Sequence, residues 1–181
     1  LRNTNDAINA GISYVTEDRK GNGLFLLQDI KSNISVAHLK GITSNGVVNL
    51  NEEVKVANQY KESLHIKASS LEQIVGNLSG GNQQKVSLGK WLFTSPKILI
   101  LDEPTRGIDV GAKFEIYTIM NQLISEGMSI IMISSELGEI LGMSDRIYVM
   151  ANGTIKGELS AAVTTSSPAL PFTAAASICS A

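Results

Sequence analysis

The chain has 181 residues, 43% of them hydrophobic and 18% charged, which is enough for a globular domain with a hydrophobic core. A net charge of −2 and the absence of any Lys/Arg block argue against a nucleic-acid-binding surface. No apolar run approaches the ~20 residues of a membrane-spanning helix, no signal peptide is evident, and the single cysteine, Cys179, excludes an internal disulfide framework.

The first predicted elements are a short helix over 6–10, ended by Gly11, and a buried strand over Ile12–Val15. A charged cluster follows the strand directly: Glu17-Asp18-Arg19-Lys20. Ligands of open α/β sheets bind beyond the carboxyl ends of strands, so this cluster is a candidate binding site. A solvated turn explains the same residues equally well.

Residues 22–75 are predicted to form a helical insertion. Asn51 is the expected cap of its clearest helix, whose apolar face is predicted to comprise Leu50, Val54, Ala57, Tyr60 and Leu64. His38 and His65 have no Cys or carboxylate at ligand spacing, which favours packing or surface positions over a metal site.

A second candidate site is the glycine-containing start of a helix at Ser79-Gly80-Gly81. The Ser79 hydroxyl can cap the helix, and two residues without a β-carbon let an oxyanion approach the backbone amides. Because the positive end of the helix dipole lies there, the stretch is a candidate phosphate-binding surface. An ordinary capped helix start remains the alternative for this stretch taken alone.

The strongest chemical feature is an acidic pair after the apolar run 98–101, which has the continuous hydrophobicity of a central strand covered on both faces. Asp102 at the strand end can hold Mg²⁺, usually through water. Glu103 beside it can orient or deprotonate an attacking water molecule.

The remaining elements alternate between strand and helix as far as residue 158. They are a helix over about 111–126, a strand over 129–133 that ends at Ser134-Ser135-Glu136, a helix through Leu141, and a hairpin around Asn152-Gly153. This order predicts an α/β fold with a mostly parallel sheet. Residues 159–181 carry no charge and include Pro168 and Pro171, so we expect a disordered or weakly packed tail.

Together these stretches resemble the ATPases of the ATP-binding cassette (ABC) family. Residues 78–84 resemble the family's signature motif, and residues 98–105 resemble its Walker B strand with the catalytic glutamate. Residues 17–20, 106–113 and 134–137 stand where the Q-loop, D-loop and switch region are expected, in a pattern similar to the second cassette of tandem importers for ribose, galactose or xylose. The resemblance covers about residues 1–158 and implies a P-loop NTPase-like fold.

The resemblance implies ATP and Mg²⁺ as ligands. It implies that Asp102 coordinates the metal through water, that Glu103 is the general base, and that Glu17 senses the γ-phosphate and the metal. Asp109 would report across a dimer interface. The residues expected to face the γ-phosphate of ATP held by the opposite cassette are Ser79, Gly80, Gly81 and Gln83.

Two departures from the family pattern stand out. Ser135 occupies the switch position, where a histidine is usual, and cannot supply the same charged contact to the γ-phosphate. No Gly-x-x-x-x-Gly-Lys-Ser/Thr motif occurs in the 181 residues, so the phosphate cradle is missing. We therefore expect that the N-terminal part of the cassette lies upstream of residue 1 and that the chain alone binds ATP poorly or not at all.

The expected function is a C-terminal part of an ATPase that drives monosaccharide import, peripheral at the cytoplasmic face of the inner membrane. Its expected partners are a second ABC cassette, membrane permease subunits contacted through the insertion and, indirectly, a sugar-binding protein. Two alternatives are an inactive remnant of such a cassette and, less favoured, a soluble ABC ATPase of DNA repair or translation. The sugar itself cannot be inferred, because specificity belongs to the permease and binding protein.

Overall fold

The computed structural model describes residues 1–160 and 173–177. The helices are α1 Thr4–Asn9, α2 Ile30–Ser35, α3 Leu50–Ser63, α4 Gly80–Leu92, α5 Val110–Ser125 and α6 Leu137–Met143. The strands are β1 Ile12–Val15, β2 Thr43–Ser44, β3 Val47–Val48, β4 Ile98–Asp102, β5 Ser129–Ser134, β6 Arg146–Ala151, β7 Thr154–Ser160 and β8 Thr173–Ser177. Short 3-10 segments cover Val36–Ile42 and Val75–Asn77, and a π-helical turn covers Arg19–Gly23.

Six strands form one sheet in the order β1-β4-β5-β8-β6-β7, which confirms the predicted α/β class. All neighbouring pairs are parallel except β6 and β7. Val15 pairs with Leu101, and Asp102 pairs with Ile133, so β1, β4 and β5 end at the same edge of the sheet. The loops that follow these three strands are thereby brought together.

The centre of the sheet is covered more completely on one face than on the other. Leu99 and Leu101 of β4 are fully buried, whereas Ile98 and Ile100 on the opposite face are half-buried. The run 98–101 is therefore a central strand, as predicted, but the two faces that were expected to be covered differ in burial. In the same register, β5 buries Ile130 and Met132 and leaves Ile131 half-buried.

The predicted insertion contains helices α2 and α3 and a small antiparallel hairpin formed by β2 and β3. Two details of the prediction for α3 are wrong. The capping side chain belongs to Asn49, which accepts from the backbone of Asn51 and Glu52, so Asn51 is not the cap. Leu50 and Val54 are exposed, because the buried face of the helix is centred on Ala57 and includes Glu53.

The predicted hairpin is confirmed at Asn152 and Gly153, whose φ values of 52° and 70° are those of a two-residue type I′ turn. Two parts of the tail that was expected from residue 159 onward, as disordered or weakly packed, lie in strands. Strand β7 continues through Ser160, and β8 at Thr173–Ser177 pairs in parallel with both β5 and β6. The remainder of the predicted tail lies outside the described residues. Within the described part of the chain, no helix is long and apolar enough to cross a membrane.

Candidate functional site

The candidate site lies at the edge of the sheet where β1, β4 and β5 end. Glu17 follows β1, Asp102 and Glu103 stand at the end of β4, and Ser135 follows β5. These residues are distant in sequence but adjacent in the fold, because parallel neighbours deliver their carboxyl ends to one edge. The sequence predicted all four as site residues.

Glu103 is fixed in an uncommon backbone conformation, with φ at +45°. Its backbone N–H donates to the carbonyl of Ile133 at 2.8 Å, and its carboxylate Oε1 accepts from the backbone N–H of Ser135 at 2.9 Å. The two residues predicted to be catalytic are thus in direct contact. The contact uses the Ser135 backbone, so it does not depend on a histidine or any other side chain at position 135.

Asp102 has a hydrogen-bond donor that the sequence did not reveal. The hydroxyl of Tyr14, from the neighbouring strand β1, donates to Asp102 Oδ2 at 2.6 Å. This bond, with some burial, raises the pKa of Tyr14, because the carboxylate stabilises the protonated phenol. Tyr14 and Asp102 lie on the same face of adjacent strands, two residues apart in register, which is a reachable diagonal for a long side chain.

The carboxylate of Glu17, predicted to act at the metal with Asp102, forms an ion pair with Arg106. The two residues line an open cavity of about 360 Å³ together with Asp18, Arg19 and Lys20. Residues 1–160 contain no group of three or more His, Cys, Asp or Glu side chains placed to hold a metal ion. Asp102 alone fits Mg²⁺ as one carboxylate ligand, since this ion commonly retains water and takes further oxygens from phosphate.

The signature stretch lies at a second cavity, of about 230 Å³, between the first turns of α4 and α5. Ser79 caps α4, and Asp109 caps α5 by accepting from the backbone of Ala112 at 2.9 Å. The structure therefore brings the predicted residues Ser79, Gly81 and Asp109 together. The other lining residues are Lys67, Asn82, Gly111, Ala112 and Glu115.

Gln83 does not lie on this surface with Ser79. Its side chain is 4% exposed and donates through Nε2 to the carbonyls of Val75 at 3.2 Å and Leu78 at 3.3 Å. The amide thus fixes the segment that leads into the signature, and it points away from the open cavity. The resemblance implied that Gln83 faces the γ-phosphate together with Ser79, but successive helical residues point in different directions, and here Gln83 points into the core.

Arg19 lines the cavity of Glu17 and Arg106 and also reaches the signature helix, a role that the sequence did not reveal. Its guanidinium Nη1 donates to Gln84 Oε1 of α4 at 3.3 Å and to the carbonyl of Arg106 at 3.1 Å. Burial lowers its pKa, because the charged form loses solvent. Arg19 therefore ties the loop after β1 to the signature helix and to the loop after β4.

An ion pair behind the signature, of which the lysine is buried and the carboxylate partly exposed, was also missed. Lys85 of α4 is 1% exposed and donates to Glu115 Oε2 of α5 at 2.7 Å and to the carbonyl of His65 at 2.9 Å. Lys67 donates to the other oxygen of the same carboxylate at 3.0 Å. The position of Lys85 within the apolar pattern of α4 could have indicated a buried lysine. Its partner could not be identified, because Glu115 is 30 residues away in sequence.

Glu139 of α6 plays a similar bracing role at the sheet edge. It is buried and accepts from the hydroxyls of Thr105 at 2.9 Å and Ser134 at 2.5 Å. These hydroxyls flank the acidic pair and the switch position in sequence. The contacts therefore fix the loops that carry Glu103 and Ser135 relative to each other.

Comparison with known proteins identifies the family. The family model described as "ABC transporter" matches residues 2–106. The chain belongs to the ABC transporter family. It also resembles solved ATP-binding cassettes of ABC transporters: the cassette MJ1267, with 25% identity and a TM-score of 0.70, over 86% of this chain and 63% of that one. A dimeric cassette, MJ0796, gives a TM-score of 0.72 at 20% identity, over 86% and 65% of the two chains.

Three curated relatives carry names of sugar transport proteins. The L-arabinose transport ATP-binding protein of Geobacillus stearothermophilus is 60% identical over 154 residues, 85% of this chain and 30% of the relative. A xylose import ATP-binding protein of Thermoanaerobacter pseudethanolicus is 54% identical over 87% of this chain and 31% of the relative. A ribose import ATP-binding protein of Oceanobacillus iheyensis is 50% identical over 88% and 32%. The chain spans less than a third of the length of these relatives.

Proposed function

We propose that this chain forms part of an ABC ATPase cassette that couples ATP hydrolysis to monosaccharide import. The observation that carries the proposal is the placement of the signature. Ser79 and Gly81 open onto a cavity beside Asp109, whereas the body of α4 is buried. A helix N-terminus with free amides favours an anion, and the acidic pair Asp102 and Glu103 is not among the residues that line this cavity. The arrangement suits the γ-phosphate of ATP carried by a second cassette.

The acidic pair would serve the chain's own site. Asp102 would hold Mg²⁺ through water, and the bound ion would supply positive charge to the phosphate oxygens. Glu103 would accept the proton of the attacking water on Oε2 while the Ser135 N–H holds Oε1. Water oxygen bonds to the γ-phosphorus, the bond to the bridging oxygen breaks, and ADP leaves. Glu17 would reach the γ-phosphate and the metal only after leaving Arg106.

The insertion would contact the permease. The side chains of Phe25 and Leu27 are exposed in the insertion, Leu27 to 87%. Both residues come shortly after the π-helical turn Arg19–Gly23, which itself follows the loop of Glu17. A permease segment covering these side chains would be mechanically linked to that loop. This contact would make the ATPase peripheral at the cytoplasmic face of the membrane, and any sugar-binding protein would act through the permease.

The two alternative functions, an inactive remnant of a cassette and a soluble ABC ATPase of DNA repair or translation, have less support. The relatives named for arabinose, xylose and ribose transport favour sugar import over DNA repair or translation. An identity of 60% to a transport ATP-binding protein over 85% of the chain does not favour an inactive remnant. Which monosaccharide is carried is a property of the permease and not of this chain.

The proposal is tested by offering the chain, in trans, to a complete ABC cassette that carries a Gly-x-x-x-x-Gly-Lys motif and a Glu→Gln block on hydrolysis. Sedimentation velocity is expected to detect a complex with Mg-ATP and none with Mg-ADP. Ser79→Asp should abolish the complex, because it places a carboxylate against the γ-phosphate. Ser44→Asp, which adds the same charge on the exposed strand β2, should leave it intact. Association that ignores the nucleotide or the Ser79 substitution would refute the proposal.

A further inference from the structure

The Ser79 hydroxyl is surrounded by hydrogen-bond donors within its own helix turn. Its Oγ accepts from Asn82 Nδ2 at 2.9 Å and, at 3.5 Å, from the Asn82 backbone N–H. A serine hydroxyl has one hydrogen to donate and two lone pairs to accept with. Since both intrahelical contacts occupy lone pairs, the hydroxyl hydrogen is available to an acceptor outside the turn.

The orientation of the Asn82 amide is fixed by a second contact. The backbone N–H of Lys67 donates to Asn82 Oδ1 at 2.8 Å. A backbone N–H can only donate, so the atom that faces it must be the oxygen, and the amide nitrogen must face Ser79. Reversal of the amide would set two donors against each other at Lys67.

Lys67 is itself held in place. Its ammonium binds Glu115 Oε1 at 3.0 Å, and the other oxygen of that carboxylate binds the buried Lys85 at 2.7 Å. Lys85 also donates to the carbonyl of His65, two residues before Lys67. The loop that orients Asn82 is therefore fixed to both α4 and α5. Glu115 thus binds the ammonium groups of Lys85 and Lys67, and the backbone N–H of Lys67 binds Asn82, which in turn donates to the Ser79 hydroxyl.

We propose that Asn82 is a positioning residue that presents the Ser79 hydroxyl as a hydrogen-bond donor to a terminal phosphate oxygen of ATP held by a facing cassette. The inference rests on the proposed function, because it takes the ATP from the opposing cassette. It adds a direction to the contact: Ser79 gives its proton to the phosphate and receives one from Asn82. Asn82 itself does not need to touch the nucleotide.

The test is a double-mutant cycle with the dissociation constant of the Mg-ATP-dependent complex as its readout. Ser79→Ala is expected to weaken the complex about 10- to 100-fold, the range for a hydrogen bond to a charged group. Asn82→Ala is expected to weaken it about threefold to tenfold by releasing the hydroxyl, and to add less than about twofold when Ser79 is already Ala. Asn121→Ala, at an exposed position of α5, is the matched control and should have no effect.

Asn82→Asp keeps the shape of the side chain but removes the amide group that donates to the Ser79 hydroxyl. The aspartate is isosteric and can still accept from Lys67, but its second oxygen would capture the Ser79 hydrogen. The complex should weaken at least tenfold with the melting temperature of the chain unchanged, and the loss should shrink in the Ser79→Ala background. Additive losses, or wild-type affinity in Asn82→Asp, would overturn the inference while leaving the proposed function intact. A wild-type chain that forms no ATP-dependent complex would refute both.

Discussion

For the ion pair between Lys85 and Glu115, we predict that replacing the more exposed residue, Glu115, lowers the free energy of unfolding more than replacing Lys85. Lys85 is 1% exposed and Glu115 is 39% exposed. Replacing Glu115 by Met leaves an ammonium buried with a single neutral acceptor, the carbonyl of His65. Replacing Lys85 by Met leaves a carboxylate that is still solvated and still paired with Lys67.

The magnitudes follow from these environments. Removal of one member of a buried pair costs about 3–5 kcal/mol when the remaining charge is uncompensated, and Glu115→Met meets that condition. For Lys85→Met the main loss is a hydrogen bond to the His65 carbonyl, about 1–2 kcal/mol, because methionine refills most of the volume. The double variant Lys85→Met/Glu115→Met should cost about as much as Lys85→Met alone, since no buried charge remains.

Urea unfolding followed by the fluorescence of Trp91, the single tryptophan, gives the free energies of unfolding. The exposed pair of Lys55 and Glu52 serves as the control, and Lys55→Met should change stability by less than about 0.5 kcal/mol. The reasoning is refuted if Lys85→Met is as destabilising as Glu115→Met, or if the double variant is less stable than Glu115→Met.

Two further predictions concern pH and the sheet. Hydrogen bonds from Lys85 and then Lys67 lower the pKa of Glu115, so its stabilising effect is present above its unfolded pKa of about 4.3 and is lost as pH falls through the folded value. The stability difference between wild type and Glu115→Met should therefore be largest near neutral pH and shrink below about pH 4; a difference that is constant from pH 3 to 7 would contradict the assignment. Ala175→Pro should lower the melting temperature, because β8 pairs on both sides and proline cannot donate to a ladder; an unchanged melting temperature would argue against a central β8.

The sequence predicted best those features that depend on local patterning. The apolar run 98–101 is long enough to indicate a central strand, and Asn152-Gly153 carries the turn chemistry of a hairpin. The resemblance to ABC ATPases assigned Glu17, Asp102, Glu103 and Ser135 to one site, and the parallel strands bring them to one edge of the sheet.

The features that the sequence did not predict depend on partners distant in the chain. The buried face of α3 includes Glu53 because the hydroxyl of Ser35 in α2 binds its carboxylate, a contact that no helical periodicity reveals. Lys85 can be buried because Glu115, on the neighbouring helix α5, binds its ammonium. The two residues are 30 positions apart in sequence, so no local pattern reveals the pair. Polar residues placed in a core by a specific partner are invisible to a hydrophobic pattern, which assigns them to the surface.

The signature glycines illustrate how one residue can satisfy two requirements. From the sequence, Gly80 and Gly81 were explained by the approach of an oxyanion to the backbone. In the structure a Cβ at Gly81 would lie 2.6 Å from the Cβ of Ala112, so the close packing of α4 on α5 already demands glycine there. A Cβ at Gly80 would lie 3.3 Å from the carbonyl of Gly107, a tight distance that the loop could relieve by a small shift. Gly81 therefore sets the spacing between Ser79 and Asp109, and a larger residue would displace both caps before any nucleotide is present.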